Sequence, residues 1–219
     1  MGRPVGNPCE CGLHYVRGLA ADEKYHAKIH SEYARGPKIA VLGRLPSLSL
    51  VGEFTFHAVD SSVPVDMRRK LARVAMVAYG SIPGPAGYYG IVTEDDEHLY
   101  ILASKSHAIA MVITALDSYF WKLAWGSHGS IELVGREAIS RRGPKVARVW
   151  VAANYRRKGL TTSLIIEASK HLGVDTQMLG WELPFTEGGS AIVRKFSPVA
   201  FMGCCDGFTL REVLNTSSP

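Results

Sequence analysis

The stretch VARVWVAANYRRKGLTTSL, residues 146–164, joins an apolar run, a basic turn and the start of an apolar helix. The apolar run that ends at Val151 predicts a strand, and the apolar residues spaced by four after Gly159 predict a helix. A turn between a strand and a helix directs free backbone N–H groups, together with the positive end of the helix dipole, towards one point. The sequence therefore predicts an anion site at this turn, and a pyrophosphate group fits it.

The turn carries three consecutive cations and a glycine. Arg156, Arg157 and Lys158 supply positive charge, while Gly159 lets a ligand approach the backbone closely. The hydroxyl of Thr161 adds a hydrogen-bond donor. The alternative interpretation is a basic helix start with solvated side chains. The turn matches neither the Walker A pattern nor the Gly-x-Gly-x-x-Gly pattern, which disfavours the nucleotide-binding folds that carry them.

The rest of the chain after residue 35 predicts a mixed α/β domain, because short apolar runs alternate with helical spacing. The two apolar runs on either side of the polar turn 104–107 predict a β-hairpin. Helices are predicted at residues 64–80 and 159–172, with a short one ending near Phe196. Strands are predicted at residues 39–42, 54–59, 99–103, 108–113 and 146–151, with further strands at Trp181 and Phe201.

The N-terminal thirty-five residues have a different texture, since they hold two of the four cysteines and three of the eight histidines. Cys9 and Cys11 supply two thiolates, and His26 and His30 supply two imidazoles. Histidines four residues apart share one helix face, so the four groups can converge on one tetrahedral ion, and Zn²⁺ is the expected occupant. Such a closed site is structural, and His14 is a substitute ligand. The alternative is a pair of reduced thiols beside surface histidines.

The basic turn at residues 156–161 resembles the Arg/Gln-x-x-Gly-x-Gly/Ala acetyl-CoA motif of the GNAT N-acetyltransferase superfamily. The chain resembles more narrowly the sister-chromatid cohesion acetyltransferases, which join a C2H2 zinc finger to a GNAT domain. Its Cys/His segment is similar to their finger, and residues 99–114 are similar to their central hairpin. Residues 186–189, Thr-Glu-Gly-Gly, are similar to their Pro-Thr-x-x-Gly loop. The resemblance covers roughly residues 9–205.

The resemblance implies an α+β fold, a GNAT-like mixed sheet flanked by helices, with a small N-terminal C2H2-type zinc finger. It divides the chain into a finger at 1–35, an acetyltransferase domain at 36–214 and a disordered tail at 215–219. Acetyl-CoA is the implied cosubstrate, with its pyrophosphate on the basic turn and its pantetheine along the preceding strand. The cofactor-binding residues would be Val149, Val151, Arg156, Arg157, Lys158, Gly159, Leu160 and Thr161.

The sequence departs from the family at the catalytic acid and at the finger. The Ser-Asp-Pro of the family falls on Leu183-Pro184-Phe185, so the nearest acid is Glu182. Glu182 is the first candidate for the general base, since Trp181 and Pro184 would desolvate its carboxyl group, and Glu187 is the second. The finger of the family begins Cys-x-x-Cys, whereas this one has the shorter Cys-x-Cys.

These features predict an acetyl-CoA-dependent N-acetyltransferase that acts on lysine side chains of a protein, through base-assisted direct attack of the amine on the thioester. One alternative is transfer to a small amine or an aminoacyl-tRNA, because acceptor pockets vary while the cofactor site persists. Another alternative is a zinc-finger binding module whose acetyltransferase fold has lost catalysis. The finger would orient the larger domain, with contact to nucleic acid as its second option.

The composition of the 219 residues excludes several classes of protein. Hydrophobic residues make up 47%, which is enough apolar surface to offset the entropy of ordering, so the chain is not predicted to be disordered. The net charge of +5 permits an anionic partner. The sequence shows neither a long apolar run nor an apolar leader, so we expect a soluble intracellular protein with no membrane partner. Its expected compartment is the cytoplasm, or the nucleus in a eukaryote.

Overall fold

The computed structural model describes residues 7–78, 96–127, 130–135, 139–183 and 185–204. Within these ranges the helices are α1 Ala20–Arg35, α2 Val65–Ala78, α3 Leu160–Leu172 and α4 Glu187–Phe196. The strands are β1 Asn7–Pro8, β2 His14–Tyr15, β3 Ser49–Val51, β4 Phe54–Val59, β5 Glu97–Ser104, β6 His107–Trp125, β7 Ile131–Leu133, β8 Ile139–Val151, β9 Gly180–Glu182 and β10 Ala200–Cys204.

The larger sheet has the order β3-β4-β5-β6-β8-β9-β10, and β7 pairs with β6 off this path. All of its pairings are antiparallel except β8 with β9 and β9 with β10. The two parallel pairings arise because α3 and α4 carry the chain back over the sheet between successive strands. The predicted mixed sheet is therefore confirmed, and β1 with β2 forms a separate two-stranded hairpin.

Strand β6 is 19 residues long and organises the sheet. Its first part pairs with β5 on one edge and with β8 on the other. Further along, its last residues pair with β10, in the register Ala200↔Ala124 to Gly203↔Trp121, and with β7. The aromatic-rich segment 115–125, which the sequence leaves ambiguous, is thus the second half of one long strand.

Two hydrophobic clusters lie on opposite faces of the sheet. Helix α2 covers one face, where Leu71, Val74 and Ala75 are fully buried with strand residues such as Ile101. Helix α3 covers the other face, where Leu164 packs in a second cluster with strand residues such as Tyr100 and Val112. Both helices bury the stripe that the spacing of their apolar residues predicts. The end of the α2 helix that was predicted at residue 80 lies outside the described residues.

The prediction of a strand at residues 39–42 is wrong. The segment makes one bridge to the start of β6, Lys38↔His107, and then turns into a 3-10 helix at Ala40–Arg44. The bridge is antiparallel, so the residues after Lys38 run past the first residue of β6 and over the β5–β6 turn, where the amide of Ile39 donates to the carbonyl of Ser106 and β6 offers no further edge. Its buried residues, Val41 and Leu42, pack between α2 and the sheet instead. A short apolar run alone does not distinguish a strand from a short helix.

The chain passes from α1 into the larger domain at Gly36, where both the backbone conformation and the lack of space require a glycine. Its φ is +86°, in the region that L side chains rarely adopt. A Cβ at this position would overlap the backbone carbonyl of Ala108 in β6, and backbone cannot move aside as a flexible side chain does. The amide of Gly36 also caps α1 by donating to the carbonyl of Glu32 at 2.9 Å. The junction is therefore tightly fitted.

None of the helices in the described part of the chain combines the length and the hydropathy that a membrane-spanning helix needs. The predicted tail at 215–219 lies outside the described residues, as does Cys205. Its neighbour Cys204 is a buried thiol in β10, which agrees with the prediction for that position.

Replacing Gly36 with Ala should destabilise the protein by about 2 kcal/mol or more, because backbone strain at positive φ adds to an overlap with the backbone of Ala108. The measurement is the free energy of unfolding from urea titrations. Gly43→Ala is the matched control, because Gly43 is exposed and a Cβ there meets no atom within 4 Å. Equal stability of the two variants would contradict the tight junction.

Candidate functional site

The candidate cofactor site begins where β8 and β9 separate. These parallel strands pair at Lys145↔Gly180 and Val146↔Trp181, and their register extends over these two pairs. Strand β8 runs on to Val151 beyond the last of these pairs. The far end of β8 therefore has a backbone edge that β9 does not cover, and a ligand can occupy the opening between the two strands.

A β-bulge marks the same point on β8. The register with β6 passes from Ile113↔Arg148 to Thr114↔Val146, which leaves Ala147 as the extra residue. A bulge re-aims the backbone and is a common feature beside functional sites. Beyond it Val149 and Val151 are half-buried, and they lie on the uncovered end of β8 where the sequence predicts the pantetheine.

The loop between β8 and α3 holds two residues in the left-handed region. A single 3-10 turn, Ala153–Tyr155, follows the strand, and then Arg157 has a φ of 60° and Gly159 a φ of 75°. A non-glycine residue at positive φ is strained, and such strain concentrates at functional sites. Alternation of right- and left-handed residues turns successive N–H groups towards a common point, which forms an anion-binding nest.

The N-terminus of α3 faces open space. Gly159 is its N-cap, no side chain caps the helix, and a Cβ on Gly159 would meet no atom within 4 Å. The first N–H groups of a helix have no partner inside the helix, so the amides from Leu160 onwards are available to an anion. The side chain of Leu160 itself is buried in the core, so its contribution to a cofactor is its amide.

The structure divides the three predicted cations by role. The side chains of Arg157 and Lys158 are exposed, and Lys158 Nζ lies 5.4 Å from the ring centre of Tyr155. The side chain of Arg156 is also exposed, but it is bound to the protein: its Nε donates to the carbonyl of Val151 at 3.1 Å, and a second nitrogen donates to the hydroxyl of Tyr33 at 2.9 Å. Arg156 thus secures the loop, while Arg157 and Lys158 face solvent.

Glu182, the first candidate for the general base, lies at the end of β9 beside the opening. One carboxylate oxygen accepts a hydrogen bond from Arg148 at 2.7 Å, and the other is 3.6 Å from Nζ of Lys145. The side chain of Glu182 is 11% exposed and that of Lys145 is 5% exposed, so the ion pair is largely buried. Two cations stabilise the carboxylate in its ionised form.

The apolar environment expected for Glu182 is wrong in one respect. Trp181 is buried on the other face of the sheet, under α3 and near Phe196, because neighbouring residues of a strand point to opposite faces. The residues beside Glu182 are cations, and its second predicted neighbour, Pro184, lies outside the described residues. The carboxyl group of Glu182 is thus largely buried, but the groups beside it are cations rather than the apolar side chains that the sequence predicts.

Glu187, the second candidate, is exposed in the first turn of α4. The helix is capped by the hydroxyl of Thr186, which accepts from the amide of Gly189 at 3.1 Å. An acidic residue in the first turn also complements the helix dipole. The segment that resembles the Pro-Thr-x-x-Gly loop thus begins a helix, and its acid is exposed to solvent.

The four residues of the predicted finger site come together. Each of Cys9, Cys11, His26 and His30 offers one ligand atom, and these atoms all lie within 4.8 Å of one another. The shortened Cys-x-Cys is accommodated by a turn in which the amide of Gly12 donates to the carbonyl of Cys9 at 2.8 Å. His14 lies outside this group, exposed on β2. The cluster can hold one metal ion.

The donor atoms of this cluster fit a tetrahedral metal. In a site with two sulfur and two nitrogen ligands, adjacent donors are about 3.3–3.8 Å apart, and Cys9 Sγ lies 3.3 Å from His30 Nδ1. His26 Nε2 is buried without a hydrogen-bond partner among the described residues, as expected of a metal-binding imidazole. His30 Nε2 lies 3.9 Å from Glu10, a carboxylate that can orient the ring. Burial also raises the pKa of the Cys11 thiol.

The sequence analysis missed three residues of this region. Lys145 and Arg148 bind Glu182 across the β8–β9 pair, and Tyr33 binds Arg156 from α1. The sequence does not single out Lys145, because β8 also carries Arg141, Arg142 and Arg148; only its burial shows that it needs an acidic partner. Tyr33 has no signal in the sequence either, since its partner is 123 residues away.

Comparison with solved structures identifies similar folds among acetyltransferases. The xEco2 acetyltransferase domain bound to a K105–CoA conjugate aligns with a TM-score of 0.55 at 14% identity, over 75% of this chain and 98% of that chain. A second structure of that domain aligns with a TM-score of 0.52 at 13% identity, over 75% and 97%. No protein-family model and no curated protein sequence matches the chain.

These alignments cover nearly the whole xEco2 domain, so the two folds correspond along their length rather than in one motif. The similarity confirms, at the level of the fold, the resemblance stated from the sequence. The chain therefore has a fold similar to that of the xEco2 acetyltransferase domain.

Proposed function

We propose that this chain is an acetyl-CoA-dependent N-acetyltransferase that modifies lysine side chains of a protein, with Zn²⁺ in its N-terminal finger. The observation that carries the proposal is the combination of an uncovered β8 edge with an uncapped helix N-terminus at its end. An edge strand can pair with the amide groups of pantetheine, and the helix N-terminus with its basic loop suits a pyrophosphate. The CoA conjugate of the xEco2 domain supports the choice of cofactor.

The chain's own residues would hold acetyl-CoA in an extended pose. The amides of residues 157–161 would bind the pyrophosphate, and the exposed cations Arg157 and Lys158 would add charge. The pantetheine would lie along Val149 and Val151, which brings the thioester to the bulge at Ala147. A free N–H of this strand would polarise the thioester oxygen, a contribution that needs no particular side chain.

Acetyl transfer then requires an unprotonated amine at the opening beside Glu182. The amine nitrogen attacks the thioester carbonyl carbon, the C–S bond breaks, the thiolate leaves, and a proton passes from the nitrogen to a base. A lysine amine with an ordinary pKa of about 10.4 is almost wholly protonated at neutral pH, so the base is needed. Glu182 would accept the proton directly or through one water. Its ionised form, stabilised by Arg148 and Lys145, is the form that can accept it.

The ion pair also favours the alternative of a cofactor-binding module with impaired catalysis. A carboxylate bound by Arg148 at 2.7 Å is a weaker proton acceptor than a free one, because the cation stabilises the charge that protonation would remove. Acetyl-CoA binding without transfer to any amine would support this second function. Acetylated peptide in a turnover assay would support the first.

In the finger, Cys9, Cys11, His26 and His30 would hold Zn²⁺ in a closed site. A four-ligand zinc site contributes folding energy and leaves no open position for a substrate, so its role there is structural. The two thiols lie in the turn after β1, and the two imidazoles lie on α1. The ion would therefore tie the hairpin to the helix.

Metal analysis of protein prepared without chelator should give about one equivalent of zinc per chain, as expected of a four-ligand structural site. Cys11→Ser should lower the content below about half an equivalent, because the buried thiolate is lost. His14→Ala should leave the content unchanged, since His14 lies outside the cluster. Equal zinc content in both variants, or little zinc in the wild type, would contradict the assignment.

Replacing Gly159 with Asp should weaken acetyl-CoA binding by at least about tenfold, because it adds a side chain and a negative charge where the pyrophosphate would lie. Isothermal titration calorimetry measures the change. Gly173→Asp is a matched control, since Gly173 is also at positive φ with open space around it but ends α3 rather than beginning it. Similar affinity of the two variants would remove the helix N-terminus from the cofactor site.

Replacing Glu182 with Gln should lower turnover of a lysine peptide by about 10²-fold or more, the usual contribution of a general base. The shape of the side chain is kept, so acetyl-CoA affinity measured by calorimetry should stay nearly constant. Glu187→Gln is the comparison, because Glu187 is exposed on α4 and should tolerate the change. Near-normal turnover of Glu182→Gln with saturating peptide would place the base elsewhere.

A further inference from the structure

Helix α1 is attached to the rest of the protein mainly through polar groups. None of the 16 residues of this fully described helix is buried. Most helices in folded proteins derive their stability from an apolar face packed on a core, so α1 must be held by other contacts. Besides the Gly36 junction and the Cys/His cluster, these contacts are an ion pair between Glu32 and Arg73 of α2 and the contact between Tyr33 and Arg156.

The metal-binding face of α1 continues to Tyr33. His26, His30 and Tyr33 follow one another at spacings of four and three, which places them along one side of the helix. The ring centres of His26 and His30 are 5.5 Å apart, and those of His30 and Tyr33 are 6.2 Å apart. A change in the position of the histidines therefore moves Tyr33 with them.

Tyr33 holds Arg156 in two ways. Its hydroxyl accepts a hydrogen bond from the guanidinium at 2.9 Å, and its ring centre lies 4.8 Å from the guanidinium carbon, which is cation–π geometry. The same guanidinium donates to the carbonyl of Val151, the last residue of β8. One side chain thus joins α1, the uncovered strand and the loop that leads into α3.

The loop that Arg156 secures is strained at the next residue. Arg157 has a φ of 60° without being a glycine, and such a conformation persists only where its surroundings enforce it. Arg156 fixes the backbone immediately before this residue. Release of Arg156 would allow the loop to relax, and the amides from Arg157 to Gly159 would then no longer converge on one anion.

We propose that Tyr33 is a positioning residue that couples the finger cluster to the cofactor loop, so that Zn²⁺ and acetyl-CoA bind with positive cooperativity. The inference rests on the proposed function. When Zn²⁺ binds the four ligands, it holds α1 in place, and Tyr33 on this helix keeps its contact with Arg156. The loop before α3 then keeps the conformation that binds acetyl-CoA. By thermodynamic linkage, each ligand must raise the affinity for the other by the same factor.

The test measures Zn²⁺ affinity of the full chain by competition with a chromophoric chelator, with and without saturating acetyl-CoA. Wild-type protein should bind Zn²⁺ at least about fivefold more tightly with acetyl-CoA present, the lower end of ordinary coupling between sites. Tyr33→Ala should bring this factor close to one. Tyr33→Phe keeps the ring and loses the hydroxyl, so its factor should be intermediate, and this mild change decides the matter if Tyr33→Ala does not fold.

Tyr25→Ala is the matched control, because Tyr25 lies on the same helix, is 41% exposed and is two helical turns from Tyr33. It should keep the wild-type factor, whereas a general weakening of α1 would lower the factor in both variants and overturn the role of Tyr33. Acetyl-CoA binding with a factor of one in wild-type protein would overturn the coupling and leave the proposed function intact. No binding of acetyl-CoA to the zinc-loaded wild type would overturn both.

Discussion

The candidate site depends on the point at which β8 and β9 stop pairing. Two parallel strands held together along their full length would satisfy each other's backbone and leave no edge for a ligand. Here the register covers two residue pairs, and β8 continues with a bulge at Ala147. The bulge and the Glu182 ion pair lie next to the point where the two strands separate. The loop with Arg157 and Gly159 at positive φ follows the end of β8. The proposed cofactor site and the proposed general base therefore depend on the same local separation of two strands.

Local sequence signals predicted most of the scaffold. The hairpin β5–β6, helix α2 and the strand–turn–helix unit around residue 156 follow from apolar spacing and from turn residues, which act over a few positions. The metal cluster followed from ligand type and from the four-residue spacing of two histidines. In each case the information lies within one segment or repeats along one helix face.

The missed features depend on partners that are distant in sequence. Residues 39–42 are apolar enough for a strand, but they run past the first residue of β6 instead of along it, and only the folded sheet contains that information. The environment of Glu182 is set by β8, 34 residues before it, and the role of Arg156 is set by α1. Local patterns thus predict which segments form helices and strands, whereas the contacts of Glu182 and Arg156 depend on residues far away in the sequence.

The 19-residue length of β6 also constrains how the protein can fold as it is synthesised. The first half of β6 can pair at once with β5, and β7 and β8 follow soon after β6, but the edge from Trp121 to Ala124 pairs with β10 only about 75 residues later. Until β10 emerges from the ribosome, Leu123, which is fully buried in the native sheet and lies opposite Phe201 of β10, has one side of its strand unpaired. Nascent chains would thus expose an apolar strand for several seconds, long enough to engage a chaperone.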